Sequence, residues 1–225
     1  MKSIKLALIV VALFAAHAAQ AAEDKPATDK EKFSYAIGFQ IGQGFKRDGL
    51  DIDAKTMARA ISDVLNNVEP RLSMAEMRGA MEAAQKKLIA KREAQGNKAK
   101  ADGAAYLAEN KKKPGVITLP SGVQYKVLKS GKGEQPNADS TITAHYKGTL
   151  IDGTEFDSSY RRGEPATFSV SQVIRGWQEV LPKMHVGDRW QVVIPSDLAY
   201  GPRGSGSAIG PNETLVFEIE LLKIN

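Results

Sequence analysis

The feature that most constrains this chain is a switch of hydrophobic period at Lys111-Lys112-Lys113-Pro114-Gly115. Before that point apolar residues recur every three or four positions, and after it they alternate. A period near 3.6 marks one face of a helix and a period of two marks one face of a strand. The chain therefore reads as a helical segment joined to a sheet domain over 114–225.

The helical segment carries its own start signals. Thr28 and Glu31 form a T-x-x-E capping box, after which Phe33, Ile37, Ile41 and Phe45 hold helical spacing. Gly38 and Gly42 lie four apart, which fits either a close backbone approach by another helix or a locally weak helix. A second helix is predicted from Asp53 through Met57, Ala60, Ile61, Val64 and Leu65. Residues 22–72 are too few to bury so many large apolar side chains alone. A helical dimerisation domain, and hence a homodimer through 22–72, is expected.

Ser73 and Glu76 open another capping box, and no proline follows until Pro114. Residues 73–113 are predicted to form one long stalk helix, polar nearly all round, bridging domains in solvent. Gly96 and Gly103 are its expected weak points. Met57, Met74, Met77 and Met81 cluster in this half, either as helix packing or as an adaptable client-binding surface.

The formal charge of +5 invites a nucleic-acid reading. Two of the excess lysines, Lys2 and Lys5, precede the apolar run Leu6–Ala16 and the small residues Ala19-Gln20-Ala21. That is the three-part secretory signal pattern, with 1–21 removed and a soluble periplasmic product, the outer surface being possible. The apolar run is about half the ~20 residues a membrane span needs, so no membrane anchor is expected. The rest of the excess sits on the stalk, which has one aromatic, Tyr106, and no recognition motif. It reads as a solvated face, and no nucleic-acid partner is expected.

In the sheet domain, strands are predicted around Val123–Val127, Thr141–Leu150, Arg189–Ile194 and Thr214–Ile224, with a turn at Asp152-Gly153. One short helix is marked by Val173, Ile174, Trp177 and Val180 and ended by Pro182. The fold class is thus α+β, an antiparallel sheet with a short helix, preceded by an all-α region and a long connecting helix.

The chemistry on offer is sparse. The chain has no cysteine, and only His145 and His185 follow the signal segment, with no metal-ligand spacing between them. There is no nucleophile elbow and no phosphate-binding glycine loop. No metal and no cofactor is expected, and His145 reads as structural. What the sequence does offer is aromatic residues spread over many strands: Tyr146, Phe156, Trp177, Tyr200 and Phe217.

Five stretches carry a resemblance. They are H-Y-K-G-T-L-x-D-G-T-E-F-D-S-S (145–159), V-I-R-G-W (173–177), V-G-D (186–188), P-S-D-L-A-Y-G (195–201) and T-L-V-F-E-I-E-L (214–221). In this order they resemble the FK506-binding type of peptidyl-prolyl cis-trans isomerase, and the helical half resembles the dimerising segment of the macrophage-infectivity-potentiator subfamily. The resemblance implies an antiparallel sheet wrapped around the short helix and a proline-binding pocket. It places Trp177 under the proline ring and Tyr146, Phe156, Val173, Ile174 and Phe217 around it. Asp157 would stand at the rim near Arg162, Ile209 would close the far side, and the Ile174 N–H and Tyr200 hydroxyl would bond substrate carbonyls. Asp157 and Tyr200 are the implied catalytic pair.

The implied partners are unfolded or proline-containing polypeptides and FK506- or rapamycin-type inhibitors. Ala166 stands where an aromatic is common and Ser205 where a histidine is common, which bears on substrate preference and inhibitor affinity. The resulting expectation is an isomerase for X–Pro bonds in exported proteins, with chaperone activity. The alternatives are a holdase chaperone or a surface virulence factor with incidental isomerase activity.

Overall fold

A computed structural model describes residues 25–225. The signal segment expected at 1–21 lies outside the described residues. Among these, no helix is long and apolar enough to cross a membrane, and no group of acidic or histidine side chains is arranged to hold a metal ion. The chain divides into two compact units between Pro70 and Arg71.

Within the described residues, the first unit holds two helices. Helix α1 (Asp29–Arg47) is closed at its start by the expected box: the Glu31 N–H donates to Thr28 Oγ1 at 3.2 Å and the Thr28 N–H to Glu31 Oε2 at 3.0 Å. Helix α2 (Ala54–Leu65) is capped by Asp53, whose carboxylate accepts the Thr56 N–H at 2.6 Å. No residue of either helix is buried; Phe33 is 68% and Leu65 76% exposed.

The second unit begins with helix α3 (Met74–Asn110), capped by Ser73 and Glu76. At 1.5 Å per residue its 37 residues extend about 55 Å. The solvated-bridge expectation needs correction for its second half. Gly96, Gly103 and Asn110, seven residues apart, are buried, and the helix runs unbroken through both glycines. They are contact points. A Cβ on Gly103 would stand 2.3 Å from Thr214 Oγ1, and one on Gly96 would stand 3.3 Å from Pro211. At the helix end the Asn110 amide donates to Gln124 Oε1 at 2.9 Å and the Gln124 amide to the Leu107 carbonyl at 2.9 Å.

Seven strands follow: β1 (Val116–Thr118), β2 (Gln124–Lys129), β3 (Thr141–Leu150), β4 (Glu155–Ser158), β5 (Ala166–Ser169), β6 (Arg189–Ile194) and β7 (Leu215–Ile224). They form one antiparallel sheet in the order β1-β2-β6-β7-β3-β4, with β5 also pairing β3. A single turn, α4 (Ser159–Arg162), follows β4 and was not anticipated from the sequence. Helix α5 (Arg175–Val180) is the short helix expected there, and Pro182 lies in the 3-10 turn that ends it. Its Gly176 lies so close to β6 that a Cβ would meet Ile194 at 2.4 Å. The core between sheet and helix comprises Ile142, Val180, Leu181, Val192, Ile194, Leu215, Ile219 and Leu221 among others, all fully buried. Asp188, 3% exposed, accepts the N–H groups of Gly131 and His185 and so ties two loops together.

Candidate functional site

The site starts from the pleat of β3. Its even-numbered residues from Ile142 to Gly148 face inward, which turns Tyr146 and Gly148 to the α5 side of the sheet. Gly148 pairs with Phe217 on β7 and with Asp157 on β4. A Cβ at 148 would stand 2.5 Å from the Phe156 ring and 2.9 Å from that of Phe217. A glycine inside a strand is otherwise costly, and here it admits two aromatic rings.

Trp177 projects from α5 with 3% exposure, ringed edge-on by three aromatics. Tyr146 lies at 5.6 Å and 84°, Phe168 at 5.4 Å and 74°, and Phe217 at 5.3 Å and 81°. Phe156 meets Phe217 edge-on at 5.6 Å. Such T-shaped contacts set the positive edge of one ring against the negative face of another. The result is one interlocked cluster of aromatic rings.

One edge of the cluster is polar. The Tyr146 hydroxyl donates to Asp157 Oδ2, and Arg162 donates through Nη1 to Asp157 Oδ1 and through Nη2 to the Tyr146 oxygen at 2.8 Å. The Arg162 guanidinium also lies 5.4 Å from the Tyr146 ring centre. Burial pushes the Asp157 carboxyl up. The hydrogen bonds from Tyr146 and Arg162, the Arg162 charge and the Ser158 N–H outweigh it and hold the group below its ordinary value. Burial, then the bond to Asp157, raises the Tyr146 phenol.

Tyr200, 39% exposed, feels the same carboxylate: burial and then the Asp157 charge push its phenol up, so it remains a proton donor at neutral pH. Val173 and Ile174 are half-buried against the aromatic cluster. Ile209 is buried at 7% exposure and is fixed by a tight hairpin in which its N–H and carbonyl pair with the Ser205 carbonyl and N–H at 3.1 and 2.9 Å.

All ten residues singled out in the sequence thus lie in this one unit. Contacts join Tyr146, Phe156, Asp157, Arg162, Trp177 and Phe217 directly. Three contributors were missed. Phe168 supplies a ring two positions beyond Ala166, and the period-two spacing of Ala166 and Phe168 was the available signal. Gly148 admits the walls, and its signal was a glycine in a strand pattern. Ser159, fully buried, accepts the Tyr146 N–H at 2.8 Å and donates to the Tyr146 carbonyl at 3.1 Å, fixing that residue from behind. Its Oγ also lies 2.9 Å from Nδ1 of His145, which stacks on Tyr160 at 4.6 Å.

Residues 132–222 match the family model of the FKBP-type peptidyl-prolyl cis-trans isomerase, and residues 30–127 match that of the domain amino terminal to it. The chain is 46% identical over 228 residues to the outer membrane protein MIP of Legionella longbeachae, covering 100% of this chain and 97% of that protein. It is 40% identical to the peptidyl-prolyl cis-trans isomerase Mip of Coxiella burnetii, covering 100% and 99%. Among solved structures, FkpA from Escherichia coli superposes with a TM-score of 0.65 at 35% identity, over 89% of this chain and 99% of that one.

Proposed function

The chain belongs to the FKBP-type peptidyl-prolyl cis-trans isomerases, and from that premise we propose that it turns X–Pro bonds in the aromatic basin over Trp177. The observation that supports this reading is the cluster of rings around Trp177 bordered by the Tyr146–Asp157–Arg162 triad.

An X–Pro amide resists rotation by roughly 18–20 kcal/mol because twisting breaks C–N resonance. The twisted amide has lost resonance, and its carbonyl is less polar than that of the planar ground state. A water-poor basin of aromatic rings disfavours the planar form relative to the twisted one, which is differential binding of the transition state. Trp177 forms the floor beneath the prolyl ring, and Tyr146, Phe156, Val173, Ile174 and Phe217 form the walls. The Tyr200 hydroxyl and the Ile174 N–H hold substrate carbonyls, Asp157 and Arg162 form the polar rim, and Ile209 closes the far side. No bond to a heavy atom is made or broken, so the reaction needs neither nucleophile nor metal. The same site is the proposed one for FK506-type ligands, with Ala166 and Ser205 bearing on their affinity.

The finer assignments follow from other features. The bare apolar faces of α1 and α2 support a homodimer through 22–72. Met74 and Met81, both more than 70% exposed on α3, support a chaperone surface for unfolded chains. The amino-terminal pattern supports export to the periplasm.

The deciding experiment is refolding of a protein whose slow phase is formation of a cis-prolyl bond. The full-length chain accelerates that phase, and Tyr200→Phe combined with Asp157→Ala removes most of the acceleration. An unchanged rate in that double variant would refute the site.

A further inference from the structure

The segment 201–214 leaves Tyr200, carries Ile209 and is fastened to helix α3 at three successive points. The Arg92 guanidinium donates to the Arg203 carbonyl at 2.5 Å. The Asn212 side-chain amide donates to the Gly96 carbonyl at 3.2 Å. Thr214 packs into the space above Gly103, where any side chain would collide with it. Asn212 faces both ways: its own backbone N–H donates to the Gly201 carbonyl at 2.9 Å, next to Tyr200. It does so at φ +57°, a left-handed conformation that asparagine tolerates better than most residues.

We propose that Arg92 and Asn212 are positioning residues for the isomerase reaction, holding the Tyr200–Ile209 side of the basin in its binding geometry from the connecting helix. This rests on the reading that Tyr200 and Ile209 face the prolyl substrate. The segment has little internal framework beyond the Ser205–Ile209 hairpin and one short 3-10 turn, Gly201–Arg203. A loop that is ordered before the substrate arrives does not charge its ordering to binding. Losing the anchor therefore weakens substrate binding while leaving the basin floor, and hence the turnover step, intact.

The test uses the full-length chain with Arg92→Ala combined with Asn212→Gly, the glycine keeping the left-handed backbone. With a proline tetrapeptide, KM rises threefold to tenfold and kcat stays within twofold. The amide resonances of Gly201, Arg203 and Ile209 shift, while those of Ile142 and Ile219 do not, and the urea midpoint holds. Arg92→Lys, which still donates to the Arg203 carbonyl, recovers most of the loss relative to Arg92→Ala. An unchanged KM, or a KM that rises only with a falling urea midpoint, overturns the proposal. Tyr200→Phe is assayed alongside. If it lowers kcat/KM while the anchor variants do nothing, positioning by α3 is wrong. If Tyr200→Phe also does nothing, the site reading itself has failed.

Discussion

The phenol of Tyr146 donates its proton to Asp157, and Arg162 closes the triangle by donating to both. Each group is thereby held in one ionisation state. The carboxylate stays charged because two donors face it, and the phenol stays protonated because it is buried and its acceptor is already an anion.

A pH dependence follows from Asp157. A carboxyl lowered in the folded state contributes its interactions above its ordinary range and loses them as pH falls through the depressed value. Isomerase activity should therefore stay flat down to about pH 4, the ordinary carboxylate range. Arg162→Ala removes one donor and one positive charge. Its acid limb moves upward in the kcat/KM profile, and the neutral-pH value falls about threefold to tenfold, or ~0.7–1.4 kcal/mol of transition-state stabilisation. A variant profile that overlays the parent would show that the triangle has no part in the reaction.

Gly148→Ala tests the basin's walls. The added methyl meets the Phe156 and Phe217 rings well inside contact distance. The expected cost is about 1–3 kcal/mol of stability from overpacking. The loss in kcat/KM is on the order of tenfold, about 1.4 kcal/mol. Chemical denaturation and peptide kinetics on one preparation read both. Full activity in a destabilised variant would place the substrate away from these rings.

Glu213 sits where α3 meets the sheet domain. Burial, then the charges of Asp152 and Asp102, push its carboxyl up, and Lys98 partly opposes them. A group raised in the folded state stabilises it below its ordinary value and loses that contribution as pH rises through the raised one. Glu213→Gln should thus stabilise the fold at neutral pH, read as a slightly higher urea midpoint, by a small amount that solvent screening keeps to roughly 0.5 kcal/mol or less. The gain should vanish below about pH 4. A gain that persists in acid would mean that the charge is not the cause.

The homodimer has a direct measurement. Phe33, Ile37 and Ile41 line one stripe of α1, and all are exposed in the single chain. Sedimentation should give two chains for the parent and one for Ile37→Asp combined with Ile41→Asp, with peptide isomerisation retained. A monomeric parent would end the dimer reading.

The elements with strong local signals were legible in the sequence. The capping residues Thr28, Asp53 and Ser73 each mark the helix start found in the structure. The strand Thr141–Leu150 was read to the residue, because alternation over ten positions has one solution. The order of the aromatics was legible too, but not which of them touch. Phe168 joins Trp177 only because β5 pairs with β3, a long-range fact that no local pattern encodes. Gly96 and Gly103 were misread for the same reason. Within one helix a glycine is a weak point, and only the approach of Pro211 and Thr214 from a distant loop turns the missing side chain into a fit.

The β3–β7 ladder pairs Ile142 with Ile224 and Leu150 with Leu215, so the sheet's central joint is made between strands far apart along the chain. Closing so long a loop costs entropy before any contact rewards it. On a ribosome, the helices of residues 29–110 are released long before that joint can form. A nascent chain that ends at Asn212 already carries Tyr146, Phe156, Asp157 and Trp177, but it lacks Phe217 and the strand that holds β3 in place. The aromatic cluster is therefore completed only when β7 pairs with β3 and brings Phe217 against Trp177.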